Sequence, residues 1–305
     1  MLLSSIVCAH IADLWFFANA PSPRQTPKAD FLTLAATPQT IRVALAGLGA
    51  VGLKLARALD EGIDGLTLVA VSAHDKASAE RRLSGLTTKV PVVGIDELEP
   101  LADMVVECAP AALLDSIARP FLEKGKKVIV LSAGALLDNM DLIDLAKARG
   151  GQVIVPTGAL IGLDAVTAAA QGKIESVRMT TRKPVNGLVG APFLVKNKID
   201  IENITEPLLI FSGTPRDAAV GFPANLNVAV ALSLAGIGAD LTTLEIWADP
   251  SLTRNTHTVE VVSDSASFTM SIANIPSENP KTGSITALSV LACLRKMCAP
   301  LRVGT

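Results

Sequence analysis

Net charge is nearly absent from this 305-residue chain, in which 27 Lys and Arg stand against 29 Asp and Glu for a formal balance of −2. So small a balance supplies no broad basic surface for nucleic acid and no cationic face for an anionic membrane, which leaves small metabolites as the expected partners. Cysteine is scarce as well: Cys8, Cys108, Cys293 and Cys298 show no paired C-x-x-C spacing with histidines, so no metal site is expected. Cys108 lies inside the apolar stretch "ADMVVECAPAAL", where a buried reduced thiol fits best, and a reducing, cytoplasmic compartment follows. The apolar N-terminus "MLLSSIVCAHIADLWFFANA" lacks the Lys or Arg that opens a secretory leader, and His10 and Asp13 interrupt it. It is also too short and too broken for a membrane span, which needs about 20 apolar residues. Residues 21–38 are proline-spaced and linker-like, so residues 1–38 are expected to be an extension outside the fold, disordered or added by an upstream start codon.

What is present is apolar bulk. Half of the residues are hydrophobic and 18% are charged, a core-rich composition, and the length suits two domains. From Ile41 the pattern becomes regular. "IRVALAG" is an apolar run of strand length ending in glycine, and "AVGLKLARALDEG" then sets Val51, Leu55, Ala58 and Leu59 on one helical face. Further strand candidates follow at 66–73, 102–109, 126–134 and 151–159, with helical intervals between several of them. Such alternation predicts an α/β fold, a Rossmann-type doubly wound parallel sheet.

The glycines of "GLGAVG" are spaced G-x-G-x-x-G at Gly47, Gly49 and Gly52. Alone the motif is weak, but here it follows a strand and opens a helix, the position a dinucleotide fingerprint requires. Gly47 allows the tight turn, Gly49 lets backbone approach a pyrophosphate, and Gly52 lets helix and strand pack closely, while the first helical amides face the phosphate charge. Gly47, Gly49, Val51 and Gly52 are therefore candidate cofactor contacts. The acid expected about 20 residues on, at the end of the second strand, is replaced by Ser72 and Ala73. Asp75 follows, but so do His74, Lys76, Arg81 and Arg82, which suit the extra phosphate of NADP; NAD and NADP both stay open.

After about residue 160 the segments 173–184, 243–250, 255–263 and 266–276 alternate partly between apolar and polar, as in a sheet with one covered face, and predict a second, α+β domain with an open mixed sheet. A helical stretch is expected to begin near Ala224 or Asn225, and a C-terminal helix with Ile285, Leu288, Ala292 and Arg295 at helical spacing is expected to return to the first domain. In "THTVEVV" His257 shares a strand face with Val259 and Val261, hence the covered side. It reads either as a satisfied core histidine or, beside an interdomain cleft, as a general acid–base group.

Seven segments in order, "GLGAVG", "VVECAP", "PTGALIGLDA", "RKP", "FPANLNVAVALSLAG", "ADP…NTH" and "NIPSENPKT", give the chain from about Ile41 onward a resemblance to the L-aspartate dehydrogenase family. That resemblance implies a homodimer with a dinucleotide-binding domain at 39–156, joined by the C-terminal helix 280–305, and a substrate and dimerisation domain at 157–279. It implies NAD(P)-dependent oxidative deamination of L-aspartate to iminosuccinate, with hydrolysis to oxaloacetate and ammonia, linked to NAD biosynthesis. His257 matches the family's catalytic histidine; Ala159 and Asn227 match nicotinamide contacts; Lys281, Thr282 and Lys183 match contacts to the substrate carboxylates. The chain departs from the family pattern in "TGALIG", "NPKTG" and "SDSAS", all at the edges of the expected cleft. Two other readings stand beside it: a dehydrogenase or reductase of a related amino acid, semialdehyde or imine on the same scaffold, and a non-catalytic dinucleotide-binding sensor.

Overall fold

The computed structural model describes residues 40–222, 226–276 and 283–305. The expected extension at 1–38 and the candidates Lys281 and Thr282 lie outside the described residues.

Strand and helix alternate as β1 (Ile41–Ala46), α1 (Ala50–Glu61), β2 (Leu66–Ser72), α2 (Lys76–Leu83), β3 (Val92–Val93), α3 (Leu98–Leu101), β4 (Met104–Glu107), α4 (Leu114–Glu123), β5 (Lys127–Val130), α5 (Asp141–Arg149) and β6 (Gln152–Ile154). The strands form one parallel sheet in the order β3-β2-β1-β4-β5-β6, the doubly wound fold expected. These strands are apolar on both faces because helices cover both. Val43, Leu45, Met104 and Ile129 meet Leu55 and Leu59 of α1 on one side, while Ala44, Val105 and Val130 meet Ile117 and Phe121 of α4 on the other. The chain leaves β1 for β2 in one direction and for β4 in the other, so a crevice opens beyond their carboxyl ends.

The second sheet follows α6 (Leu163–Ala169) and comprises β7 (Ile174–Lys183), β8 (Leu208–Gly213), β9 (Thr243–Ala248), β10 (Asn255–Ser263) and β11 (Ser267–Asn274), with α7 (Pro192–Asn197), α8 (Pro215–Gly221) and α9 (Asn227–Ala235) between them. Its order is β11-β10-β7-β9-β8; β7 and β9 run parallel and the other pairs antiparallel, which makes it the open mixed sheet expected. Val177, Met179, Leu244, Val259 and Val261 face inward onto Val166 of α6 and Val230 and Leu232 of α9. Thr214 and Asp217 cap α8 reciprocally, the hydroxyl accepting from Asp217 N at 3.1 Å. The few aromatics concentrate here: Phe193, Phe211 and Phe222 pack with ring centroids 5.1 to 5.7 Å apart.

The structure adds one strand to those expected and turns another face of the terminal helix inward. The strand β8 escaped notice because its register shifts between Leu209 and Phe211, which breaks any clean alternation. The terminal helix α10 (Ile285–Cys298) does join the core of the first sheet, but through Val290, Leu291 and Leu294. The expected stripe of Ile285, Leu288, Ala292 and Arg295 faces outward. Apolar residues occur all around "ITALSVLACL", so period alone selects no face.

Candidate active site

The glycine turn is built as its sequence demands. Gly47 sits at φ +103°, a conformation closed to most side chains, and a Cβ there would lie 2.5 Å from the Cys108 carbonyl oxygen. A Cβ at Gly52 would lie 2.1 Å from the Gly47 carbonyl oxygen, so α1 can approach the turn only without one. A Cβ at Gly49 would meet nothing within 4 Å, because this residue faces an open cleft of about 720 Å³. That cleft runs along Gly47–Gly49, the end of β2 and the start of α2, with Cys108–Pro110 and Leu113 on its other wall. A turn with no Cβ at Gly47 or Gly49, at the start of a 12-residue helix, fits a dinucleotide pyrophosphate. Val51 lies in the first turn of α1, partly packed into the core rather than lining the cleft. Burial pushes the Cys108 thiol well up, so it stays protonated; Cys108, Cys293 and Cys298 are free thiols.

The inner face of the second sheet changes character along its length. β7 points Val177 and Met179 inward near its start but Thr181 and Lys183 near its end, and antiparallel β10 brings His257 opposite Thr181. Thr181, Lys183, His257 and, on β11, Asn274 are all buried. His257 Nδ1 and Thr181 Oγ1 are 3.2 Å apart. Burial, helped by the Lys183 charge, holds the imidazole down to about 3, and burial holds Lys183 down to about 8. The pair at neutral pH is therefore an uncharged histidine beside a predominantly protonated lysine, a base next to a cation.

This polar end is tied to the first sheet. Asn274 Nδ2 donates to the Ala159 carbonyl at 2.9 Å, and Gly158 N–H donates to Ser289 Oγ of α10 at 3.0 Å, so the segment leaving β6 is pinned from both sides. Asn227, first residue of α9, accepts from Gly134 N–H at 3.0 Å and thereby joins α9 to the loop after β5. Asp249, the acid of the "ADP" match, accepts from Ser251 Oγ at 2.6 Å, and its N–H donates to the Lys183 carbonyl at 2.8 Å. The Ser251 hydroxyl bond holds its carboxyl below the usual range. Asp249 thus fixes the strand end that carries Lys183.

Glu107 is a further buried carboxylate, which the sequence reading passed over. It accepts from Ser132 N–H at 2.8 Å, Ser132 Oγ at 3.0 Å and Leu131 N–H at 3.1 Å, joining the ends of β4 and β5. Burial pushes its carboxyl up against the pull of those bonds. Glu107→Ala leaves buried donors without an acceptor and is expected to cost about 2–3 kcal/mol. Urea unfolding checks this, and a variant as stable as the parent would refute it.

The structure thus brings Gly47 and Gly49 to one cleft, and His257 and Lys183 to one buried polar cluster to which Ala159 is tied through Asn274; Asn227 attaches separately to the β5 loop. Among the described residues no three His, Cys, Asp or Glu side chains converge as metal ligands, and no helix is long and apolar enough to cross a membrane.

Similarity to known proteins follows the same division. Residues 47–156 match the NAD-binding domain of homoserine dehydrogenase, and residues 164–297 match the C-terminal domain of aspartate dehydrogenase. The chain is 62% identical to an L-aspartate dehydrogenase of Bradyrhizobium diazoefficiens, over 87% of this chain and 94% of the relative. It is 59% identical to L-aspartate dehydrogenase 3 of Bordetella bronchiseptica, over 88% of this chain and 98% of the relative. The crystal structure of aspartate dehydrogenase from Thermotoga maritima shares the fold, with a TM-score of 0.64 at 23% identity over 87% of this chain and 99% of that one. With a nicotinamide-dinucleotide domain and a mixed-sheet domain matched over nearly the full length of such relatives, the chain belongs to the L-aspartate dehydrogenase family.

Proposed function

We propose that this chain oxidises L-aspartate at Cα with NAD or NADP, giving iminosuccinate, which hydrolyses to oxaloacetate and ammonia. The observation that carries the reading is the buried pair of Lys183 and His257 at the polar end of the second sheet, in a chain of this family. The nicotinamide, when bound, supplies the hydride acceptor. The chain's own residues do the rest. The glycine turn and the α1 amides hold the pyrophosphate, and Ala159 and Asn227 flank the nicotinamide end. Lys183, and by the family pattern Lys281 and Thr282, serve the two substrate carboxylates, which need charge-assisted partners once desolvated. His257, held neutral by burial, accepts the proton that the amine loses as its lone pair forms the C=N bond. The tautomer that donates from Nδ1 to Thr181 Oγ1 leaves Nε2 as that base.

In this reading residues 39–156 and the terminal helix hold the cofactor, residues 157–279 hold the substrate and the homodimer contact, and the cytoplasmic product feeds NAD biosynthesis. An absorbance assay at 340 nm with L-aspartate, a panel of other amino acids and both cofactors tests it. Turnover confined to L-aspartate supports the proposal. Turnover with another amino acid alone moves it to a related dehydrogenase, and dinucleotide binding without turnover on any substrate moves it to a sensor.

A further inference from the structure

We propose that the β2 end of the cleft is a site for the 2′-phosphate of NADP, and that the protein selects NADP over NAD. This rests on the nicotinamide-dependent reading above and deepens it. An enzyme that prefers NAD places a carboxylate at the end of the second strand to accept from the adenosine ribose hydroxyl. Here that strand ends in Ser72, followed by Ala73 and His74. The first carboxylate, Asp75, lines the same cleft three residues beyond that strand end, and its Oδ1 is committed to Ser78 N–H at 2.9 Å as the cap of α2.

Two cations stand at the same end of the cleft and outnumber that one carboxylate. Lys76, at the first position of α2, and Arg82, in its last turn, both line the cleft together with His74 and Ser78, whereas Arg81 does not. Arg82 Nη1 donates to the carbonyl of Leu48, the residue between Gly47 and Gly49. One of the guanidinium's five N–H donors therefore anchors it across the mouth between glycine turn and α2, and the fork stays over the path from pyrophosphate to ribose. A phosphomonoester carries up to two negative charges and three acceptor oxygens, the group a planar guanidinium and a nearby ammonium recognise. A ribose diol would bring no anion of its own to these two cations.

The test compares kcat/KM for NADP and NAD at saturating L-aspartate, alongside fluorescence titration of NADPH and NADH. The protein is expected to favour NADP about tenfold or more, since charge-assisted hydrogen bonds of this kind contribute roughly that much each. Arg82→Ala and, separately, Lys76→Ala are each expected to lower the NADP-to-NAD ratio about tenfold. The hydrogen bond to the glycine turn belongs to Arg82, so the Lys76 variant keeps the test open should Arg82→Ala disturb that loop. Adenosine 2′,5′-bisphosphate should also compete against NADP better than AMP does. A protein that prefers NAD, or variants that lower both cofactors equally, would overturn the phosphate site. Failure of both reduced dinucleotides to bind would instead overturn the nicotinamide reading on which it rests.

Discussion

His257→Ala is expected to lower turnover of L-aspartate by about 10²–10⁴-fold, the usual contribution of a positioned general base, while leaving dinucleotide binding near that of the parent. The separation follows from where the residue sits. His257 stands on the covered face of β10 opposite Thr181 of β7, away from the glycine turn at the start of α1. Removing a buried imidazole also opens a cavity, so His257→Asn, which keeps a polar group against Thr181, serves as the second variant. Turnover within a factor of about three of the parent in both variants would remove His257 from the chemistry, because a base worth keeping contributes at least a hundredfold.

The same residue gives a stability signature with a definite sign. The imidazole takes its proton near 6.5 when unfolded but only near 3 in the fold, because burial and the Lys183 charge oppose the cation. Between those limits the unfolded chain binds the extra proton. Stability is therefore unaffected above about pH 6.5 and is lost as the pH falls through that window. His257→Asn removes the linkage, so its stability deficit against the parent should shrink between pH 7 and pH 5. Lys183 acts at the other limb. Held down to about 8, its ammonium is lost as the pH rises through that value, and the KM for L-aspartate should climb there if Lys183 faces a carboxylate.

Much of this arrangement is legible in the sequence, wherever the determinant is local. The glycine turn is, because the positive φ of Gly47 and the packing of Gly52 on the Gly47 carbonyl are set within the turn, although the Cys108 carbonyl that also crowds Gly47 comes from β4's end. The inward orientation of His257 is, because alternation along one strand settles it. The partner of that histidine is not: Thr181 lies 76 residues away, and only the β7–β10 register places it opposite. Asn227 and Gly134 are 93 residues apart, and Asn274 and Ala159 are 115 apart, so both links between the sheets depend on domain packing that no periodicity encodes. Glu107 passed unremarked inside an apolar strand, although a lone carboxylate in such a run is itself a signal that buried donors await it. The distinction is physical: spacing reports what one element does, whereas the site is made where elements meet.

Gly52→Ala carries the other large expected effect. The new methyl would lie 2.1 Å from the Gly47 carbonyl oxygen, a backbone atom that no rotamer change can withdraw. Either α1 lifts from β1, where Leu55 and Leu59 fill the core, or the turn itself shifts. Overpacking of this kind costs about 1–3 kcal/mol, with the upper end expected where the obstacle is main chain. Gly49→Ala is the informative contrast. It meets nothing within 4 Å and sits at φ −72°, so its stability should stay within about 0.5 kcal/mol of the parent. Yet its methyl would project into the cleft where the pyrophosphate approaches, so affinity for the reduced dinucleotide should still fall about tenfold or more, the loss expected when one or two charge-assisted bonds to backbone amides are lengthened. Thermal unfolding and fluorescence titration of the two variants separate packing from recognition: Gly52→Ala should lose both, and Gly49→Ala only the second. Should Gly52→Ala melt and bind as the parent does, the close helix–strand approach would not be what shapes the cradle.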